Sequence, residues 1–336
     1  MDYKIVPYHE DLEREWDRFV MQESANGTFL QTRRFLNYHP NERFQDVSFL
    51  VENEKGAMIA AIPAAVQQKD GKRVLISHPG STYGGPVIRK SYNTAERCLK
   101  IIQLIDNYIC DTYERAEFKL TPNLLQNREC FALEYAFYHQ GFQSYEELNT
   151  WVSLGRLRPN ELLSSFRQNK KHDVQQANKK NLEFKRMSVN DVEAFYQLLC
   201  DNLKKFKTKP IHSIAELSDL MTNRIHGEAS LFGVFDDDKL VASTLTFSFV
   251  QRNVLHTQYI ASDLNVSDYS PSAFLYYKIL LYAIESGYDS VSFGISTTDH
   301  GRCLNQGLIS NKEGYNAHHD INRTYYKDYH KETANE

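Results

Sequence analysis

The 336-residue chain carries 39 Lys and Arg against 43 Asp and Glu, a formal charge of −4, with 41% hydrophobic and 24% charged residues. Its 21 Tyr and 19 Phe supply far more buriable surface than a disordered chain carries, and the near-neutral balance excludes a protein that coats nucleic acid by bulk charge. Five cysteines, at 98, 110, 130, 200 and 303, form no CxxC pair, which excludes a disulfide framework or a zinc site of that spacing and suits a reducing compartment. The length predicts two domains. The first residues are charged throughout and lack the apolar core of a signal peptide. The longest apolar stretch, Ala273 to Ile284, has 12 residues where a bilayer takes about 20, so no membrane span and a cytoplasmic location are expected.

In chain order the elements repeat. FLVENEKGAMIAAIPAAV from Phe49 reads as strand, acidic turn, strand, the pattern of a hairpin. A further strand follows at Leu75, then the loop from His78 to Pro86, rich in Ser, Gly and Pro. Next come a helix from Ala95 to Ile109, a strand at Ala116 and a closing unit, YHQGFQSY from Tyr138. The second half runs through the same order: hairpin from Leu231, strand from Val254, a loop with Ser and Pro, helix Ser272 to Ser286, strand SVSFGIS from Ser290, and closing unit NKEGYNAH from Asn311. In each closing unit a Gly followed by an aromatic reads as a helix C-cap entering a last strand. Two halves in one order predict an α/β chain with mixed sheets, built from two copies of one fold: residues 1–152, residues 153–330, and a disordered tail at 331–336. Ahead of its hairpin the second copy carries a helix from Pro159 to Ala177, with Pro in its first turn, a strand Leu182 to Met187, and a helix Asp191 to Phe206 whose apolar residues recur every three or four positions.

The segment Arg167 to Arg186 holds seven Lys and Arg against Asp173 and Glu183. Arg167, Lys170 and Lys171 share one helical stripe, fit to hold phosphates by charge-assisted hydrogen bonds; the same stripe also reads as a solvated helix face. A second cluster, Lys204, Lys205, Lys207 and Lys209, ends a helix, where cations complement the dipole. The loop His78 to Pro86 matches neither a P-loop nor a dinucleotide fingerprint. No H-E-x-x-H or G-x-S-x-G motif occurs, and the adjacent His318 and His319 point to opposite faces of a strand, so neither a metal nor a serine hydrolase is expected.

Four stretches in order resemble the Fem-type transferases, FemAB-like proteins with two tandem GNAT (N-acyltransferase) domains: TFLQTRRFL from Thr28, STYGGPVI from Ser81, FRQNKKHDVQQANKKNLEF from Phe166, and GLISNKEGYNA from Gly307. The resemblance covers nearly the whole chain. It implies an acyltransferase whose second domain moves an acyl or aminoacyl group, from acyl-CoA or aminoacyl-tRNA as co-substrate and with no tightly bound cofactor, to an amine. By position, Lys312 matches the lysine that stabilises the reacting ester or its oxyanion. Arg167 and Lys171 match the basic helix that contacts phosphate of the acceptor nucleotide, with Lys170 a further substrate-binding candidate on the same stripe, and Arg33 or Arg34 match the corresponding place in domain one. Tyr83, Gly84 and Gly85 would line the acceptor cleft. The Gly-containing loop by which GNAT acetyltransferases cradle the CoA pyrophosphate is missing; Ser270 and Ser272, in SDYSPSAFL from Ser267, would cap the next helix and leave an anion site at its N-terminus.

The expectation is a bacterial, cytoplasmic acyltransferase acting on an amine of a nucleotide-linked or cell-envelope precursor, with tRNA as a partner if the donor is aminoacyl-tRNA. Its oligomeric state is not legible. His256, on the strand flanking the cleft, reads as a base or relay with an ordinary pKa of about 6.5, and equally as a packed strand histidine. Asp299 and His300, just past the SFGIS strand, are further base candidates. The rival reading is a non-catalytic protein of the same fold that binds RNA or an anionic glycan through the Arg167 to Arg186 stripe.

Overall fold

A computed structural model describes residues 3–40, 43–204, 208 and 210–329. Lys205, Lys207 and Lys209 of the second basic cluster, and the tail expected at 331–336, lie outside the described residues. The chain divides into two compact units, Met1–Glu147 with Ile321–Glu336, and Leu148–Asp320. Both are mixed α/β.

Unit one has a four-stranded antiparallel sheet, ordered Lys4–Pro7, Phe49–Glu52, Met58–Ile62 and Val87–Ile88. Beside it, Gln45–Asp46, Ala65–Lys69 and Lys72–Ile76 pair in antiparallel succession. Lys72–Ile76 then runs parallel to Arg115–Lys119. Parallel neighbours need a crossover, supplied here by the helix Ala95–Ile109, whose Cys98, Ile101, Ile102, Ile105 and Ile109 are fully buried. Residues 324–328 close the sheet antiparallel to Arg115–Lys119.

Unit two repeats the plan. Leu182–Met187, Ala229–Asp236, Lys239–Phe249 and Val254–Ser262 form an antiparallel run. Val254–Ser262 is parallel to Ser290–Ile295 across the helix Pro271–Glu285. The parallel pairing stops at His256 opposite Ser292, although both strands continue. Residues 149–153 close this sheet antiparallel to Ser290–Ile295, with a bulge between Ser292 and Gly294. The unit's core packs Val152, Leu255, Val291 and Phe293 against Phe274, Leu275, Ile279 and Leu280 of the crossover helix.

The two-copy reading of the sequence matches this plan, but the division of the chain differs from a cut at 152 and an end at 330. Residues 148–153 belong to unit two and residues from 321 onward to unit one, so each copy's closing strand is the one that the sequence order attaches to the other copy. The helix expected from Pro159 to Ala177 is two helices, Pro159–Ser165 and Gln168–Ala177. Phe166 and Arg167 are extended between them because the Phe166 ring packs edge-on against Tyr277 and Tyr315, while the Arg167 amide donates to the Gly314 carbonyl at 2.9 Å. The two closing glycines also differ. Gly141 is left-handed (φ 78°), as a C-cap requires. Gly314 is right-handed, and its missing side chain makes room for Lys170 Cγ.

Candidate active site

The helix Gln306–Glu313 starts at Asn305, whose Oδ1 caps the Leu308 amide at 3.0 Å. Its last turn carries Lys312 inward, only 3% exposed. Nζ donates to the carbonyls of Gly294 (3.0 Å) and Ile295 (2.7 Å). Two successive carbonyls reach one nitrogen because the strand bulges there and Gly294 adopts φ 72°, a conformation that suits glycine. An ammonium has three N–H donors, so one remains for a substrate. Burial pushes the Lys312 ammonium down to about 7, since a buried charge loses its hydration.

His256 lies beside this ledge. Its Nδ1 is 3.0 Å from Ser292 Oγ, and a Cβ on Gly294 would stand 3.3 Å from its Cε1. Burial, and after it the charge of Lys312, push the imidazole down to about 4. The ordinary pKa assumed for it from sequence does not hold: it stays neutral at neutral pH and is a weak base.

The basic helix Gln168–Ala177 meets the end of the lysine helix. Arg167 Nη2 is 3.0 Å from Glu313 Oε2, and Lys170 Nζ pairs with Asp173 at 3.0 Å while its stem packs on Gly314. Lys171 makes no ion pair among the described residues and is half-buried. The structure thus brings Lys312, His256, Arg167, Lys170 and Lys171 into one unit and joins the basic helix to Lys312 through Glu313 and Gly314.

Other sequence candidates stand elsewhere. Asp299 occupies the exposed tip of a hairpin, left-handed with His300 (φ 50° and 51°). Ser270 caps the crossover helix, accepting from the Ala273 amide at 3.3 Å, with Ser272 Oγ 3.4 Å away. In the loop before it Asp268 pairs with Lys180 and Asp263 with Lys239 at 2.6 Å, and the Tyr269 hydroxyl donates to Asp236, at the end of a neighbouring strand, at 2.7 Å.

In unit one the expected substrate contacts have internal tasks. Arg33 is buried, bound to Asp46 (2.6 Å), Asn37 (3.0 Å) and Ser48 (3.1 Å), with its guanidinium 4.0 Å from the Tyr8 ring centroid. Against the opposing effect of burial, hydrogen bonds from His78 and the Arg33 guanidinium hold Asp46 below the usual carboxylate range. Arg34 gives its amide to Asp17 at 3.2 Å. Tyr83, Gly84 and Gly85 are buried; both glycine amides donate to the Lys119 carbonyl, at 3.0 and 3.2 Å, and the Tyr83 carbonyl accepts from Ser81 and Gln31. A Cβ on Gly84 would collide with the Ser77 carbonyl. These loop residues therefore plug the end of the parallel pair in unit one.

Residues 164–302 match the family profile described as an acetyltransferase (GNAT) domain. Unit two is accordingly a GNAT acyltransferase domain, and the protein is an acyltransferase. No curated protein sequence matches the chain. Among solved structures, FemX is 12% identical with a TM-score of 0.68, covering 97% of each chain. L-PGS from Bacillus licheniformis is 12% identical with a TM-score of 0.61, covering 95% of this chain and 93% of that one. A tandem GNAT protein from the clavulanic acid biosynthesis pathway is 11% identical with a TM-score of 0.57, covering 97% and 98%. The fold of the whole chain is thus the tandem GNAT fold of FemAB-like acyltransferases.

Gly294, which aims both carbonyls at Lys312, was not singled out from sequence. The signal was present in SFGIS, a glycine inside a strand pattern.

Proposed function

We propose that the protein forms an amide by moving an acyl or aminoacyl group from an activated ester or thioester to a primary amine of a cell-envelope or nucleotide-sugar precursor, in the cytoplasm of a bacterium. The observation that carries this reading is the buried Lys312 ammonium, held by two carbonyls with one N–H unspent. The amine nitrogen attacks the carbonyl carbon and the C–N bond forms. The remaining Lys312 N–H donates to the oxygen that becomes negative, a stabilisation realised only in the transition state. The C–O or C–S bond then breaks, and the leaving alcohol or thiol takes the proton that the amine loses. Arg167, Lys170 and Lys171 provide positive charge beside the lysine helix for the phosphates of a substrate. The resemblance of the four sequence stretches to the Fem-type transferases favours aminoacyl-tRNA as donor, and the fold shared with FemX and with a protein described as a putative lysylphosphatidylglycerol synthetase is in keeping with that reading.

The experiment is a transfer assay with charged tRNA and with acetyl-CoA, run in parallel against amine acceptors. Transfer from tRNA that falls about 100-fold or more in Lys312→Ala supports the reading. Salt-sensitive RNA binding with no transfer from either donor contradicts it and leaves the binding-protein alternative.

A further inference from the structure

The bulge whose carbonyls hold Lys312 is itself held by side chains at the end of the parallel pairing. Ser292, two residues before Gly294, stands opposite His256 in the last pair of that ladder, and both are buried. His256 Nδ1 lies 3.0 Å from Ser292 Oγ, and the same oxygen accepts the Gly294 amide at 3.4 Å. Thr257, the next residue after His256, gives its hydroxyl to the Ser292 carbonyl at 3.2 Å. The imidazole also flanks Gly294 directly, since a Cβ there would stand 3.3 Å from its Cε1.

Donor and acceptor capacity fixes the protons of this cluster. A hydroxyl has one proton to give and two lone pairs to accept with. The main-chain amide of Gly294 only donates, so it takes one lone pair of Ser292 Oγ. The Ser292 proton then goes to His256 Nδ1, because a buried hydroxyl proton without an acceptor is costly. Nδ1 is therefore the bare nitrogen and Nε2 carries the ring's proton. The ring's other hydrogen bond, with the Gln258 side chain, favours the protonated imidazole, as an acceptor of the Nε2 proton does. Gln258 is half-buried and lies beyond the last parallel pair.

We propose that His256, in its Nε2–H tautomer, is a positioning residue for the transfer: through Ser292 it tethers the Gly294 amide and so aims the carbonyls that hold Lys312. Its catalytic meaning rests on the amide-forming reading above. The amide and the carbonyl of Gly294 lie on adjoining peptide planes joined at its Cα. Tethering the first plane sets the origin from which the left-handed φ of 72° turns the second toward Nζ. No proton has to pass along this chain during the reaction. What the chain fixes is the direction of the Lys312 N–H that is left for the substrate, and a misaimed donor loses transition-state stabilisation.

The test uses the full chain with nitrogen-labelled histidine and lysine, followed by nuclear magnetic resonance. The imidazole nitrogen shifts of His256 near neutral pH should show one tautomer, with Nδ1 bare. Ser292→Ala should lower the Lys312 titration midpoint by about one unit, the loss of one hydrogen bond to a buried ammonium. His256→Asn, whose amide oxygen can stand in for Nδ1, should keep the wild-type midpoint. Thr257→Val removes a comparable bond to Ser292 outside the tether and should lower stability while leaving the midpoint in place. In the transfer assay Ser292→Ala should lower kcat about tenfold with KM unchanged. A protonated Nδ1, a Lys312 midpoint that stays or rises in Ser292→Ala, equal movement in Thr257→Val, an Asn variant that behaves like Ser292→Ala, or a loss confined to KM would overturn the proposal. The resonance measurements need no turnover, so failure to transfer from any donor contradicts the amide-forming reading alone.

Discussion

The two units meet the same problem differently. Each joins a parallel strand pair through a helix; in unit two both strands run on past the pairing, whereas in unit one the pairing ends with Ile76, the last residue of its strand. In unit one the chain closes that end with itself: Gly84 and Gly85 donate to the Lys119 carbonyl, Ser77 Oγ accepts from the Lys119 amide at 2.8 Å, and the cation Arg33 is locked to Asp46. In unit two the carbonyls beyond the pair hold a lysine side chain. The same end of the parallel pair is filled by the chain's own loop in one copy and faces a buried lysine side chain in the other. Cations of equal prominence in the sequence thereby acquire opposite meanings.

The largest expected contrast is between those two cations. Lys312→Ala removes transition-state stabilisation and should leave the melting temperature near that of the wild type. Arg33→Ala leaves Asp46 without its charged partner and should destabilise unit one by roughly 3 kcal/mol, read as a lower denaturant midpoint, with transfer per folded molecule unchanged. A catalytic loss in folded Arg33→Ala would erase the distinction drawn between the units.

Next in size are the glycines. Gly84→Ala drives a Cβ into the backbone carbonyl of Ser77, which cannot move aside, whereas Gly314→Ala meets the flexible stem of Lys170. The first should prevent soluble expression or lower the midpoint sharply; the second should cost about 1–2 kcal/mol and weaken phosphate-dependent substrate binding by displacing Lys170. Equal midpoints for the two variants would show that the loop does not plug unit one.

A smaller effect follows from His256. Its folded pKa of about 4 lies below the ordinary 6.5. Between those values the unfolded chain takes up a proton that the folded one refuses, so stability falls as pH drops from 6.5 to about 4 and this contribution levels off below. His256→Gln should lack that part of the slope in chemical denaturation across the window. An unchanged slope would mean that His256 charges freely in the fold.

Much of this was legible in the residues. The order of elements announced the duplication, and the periodic helices Ala95–Ile109 and Pro271–Glu285 fall within a residue or two of their expected ends. The stripe from Arg167 stood out as charges in recognisable spacing, and Lys312 through the resemblance of its closing motif to that of the Fem-type transferases. What escaped depends on contacts between distant positions. The exchange of closing strands is a matter of pairing partners, which alternation along one strand does not encode. Arg33 looked like a free cation because Asp46 and Ser48, which hold it, lie in a loop and strand start with no motif. The interruption at Phe166 and Arg167 arises from Tyr315 and Gly314, far along the chain. The burial that sets His256 near 4 likewise comes from the fold around it.

The titration of Lys312 Nζ, followed by nuclear magnetic resonance in selectively labelled full-length protein, tests the account at its centre. A buried ammonium resting on the Gly294 and Ile295 carbonyls should titrate near 7. A midpoint at the ordinary lysine value of 10.5 would place the side chain in water and contradict its role at the reacting carbonyl.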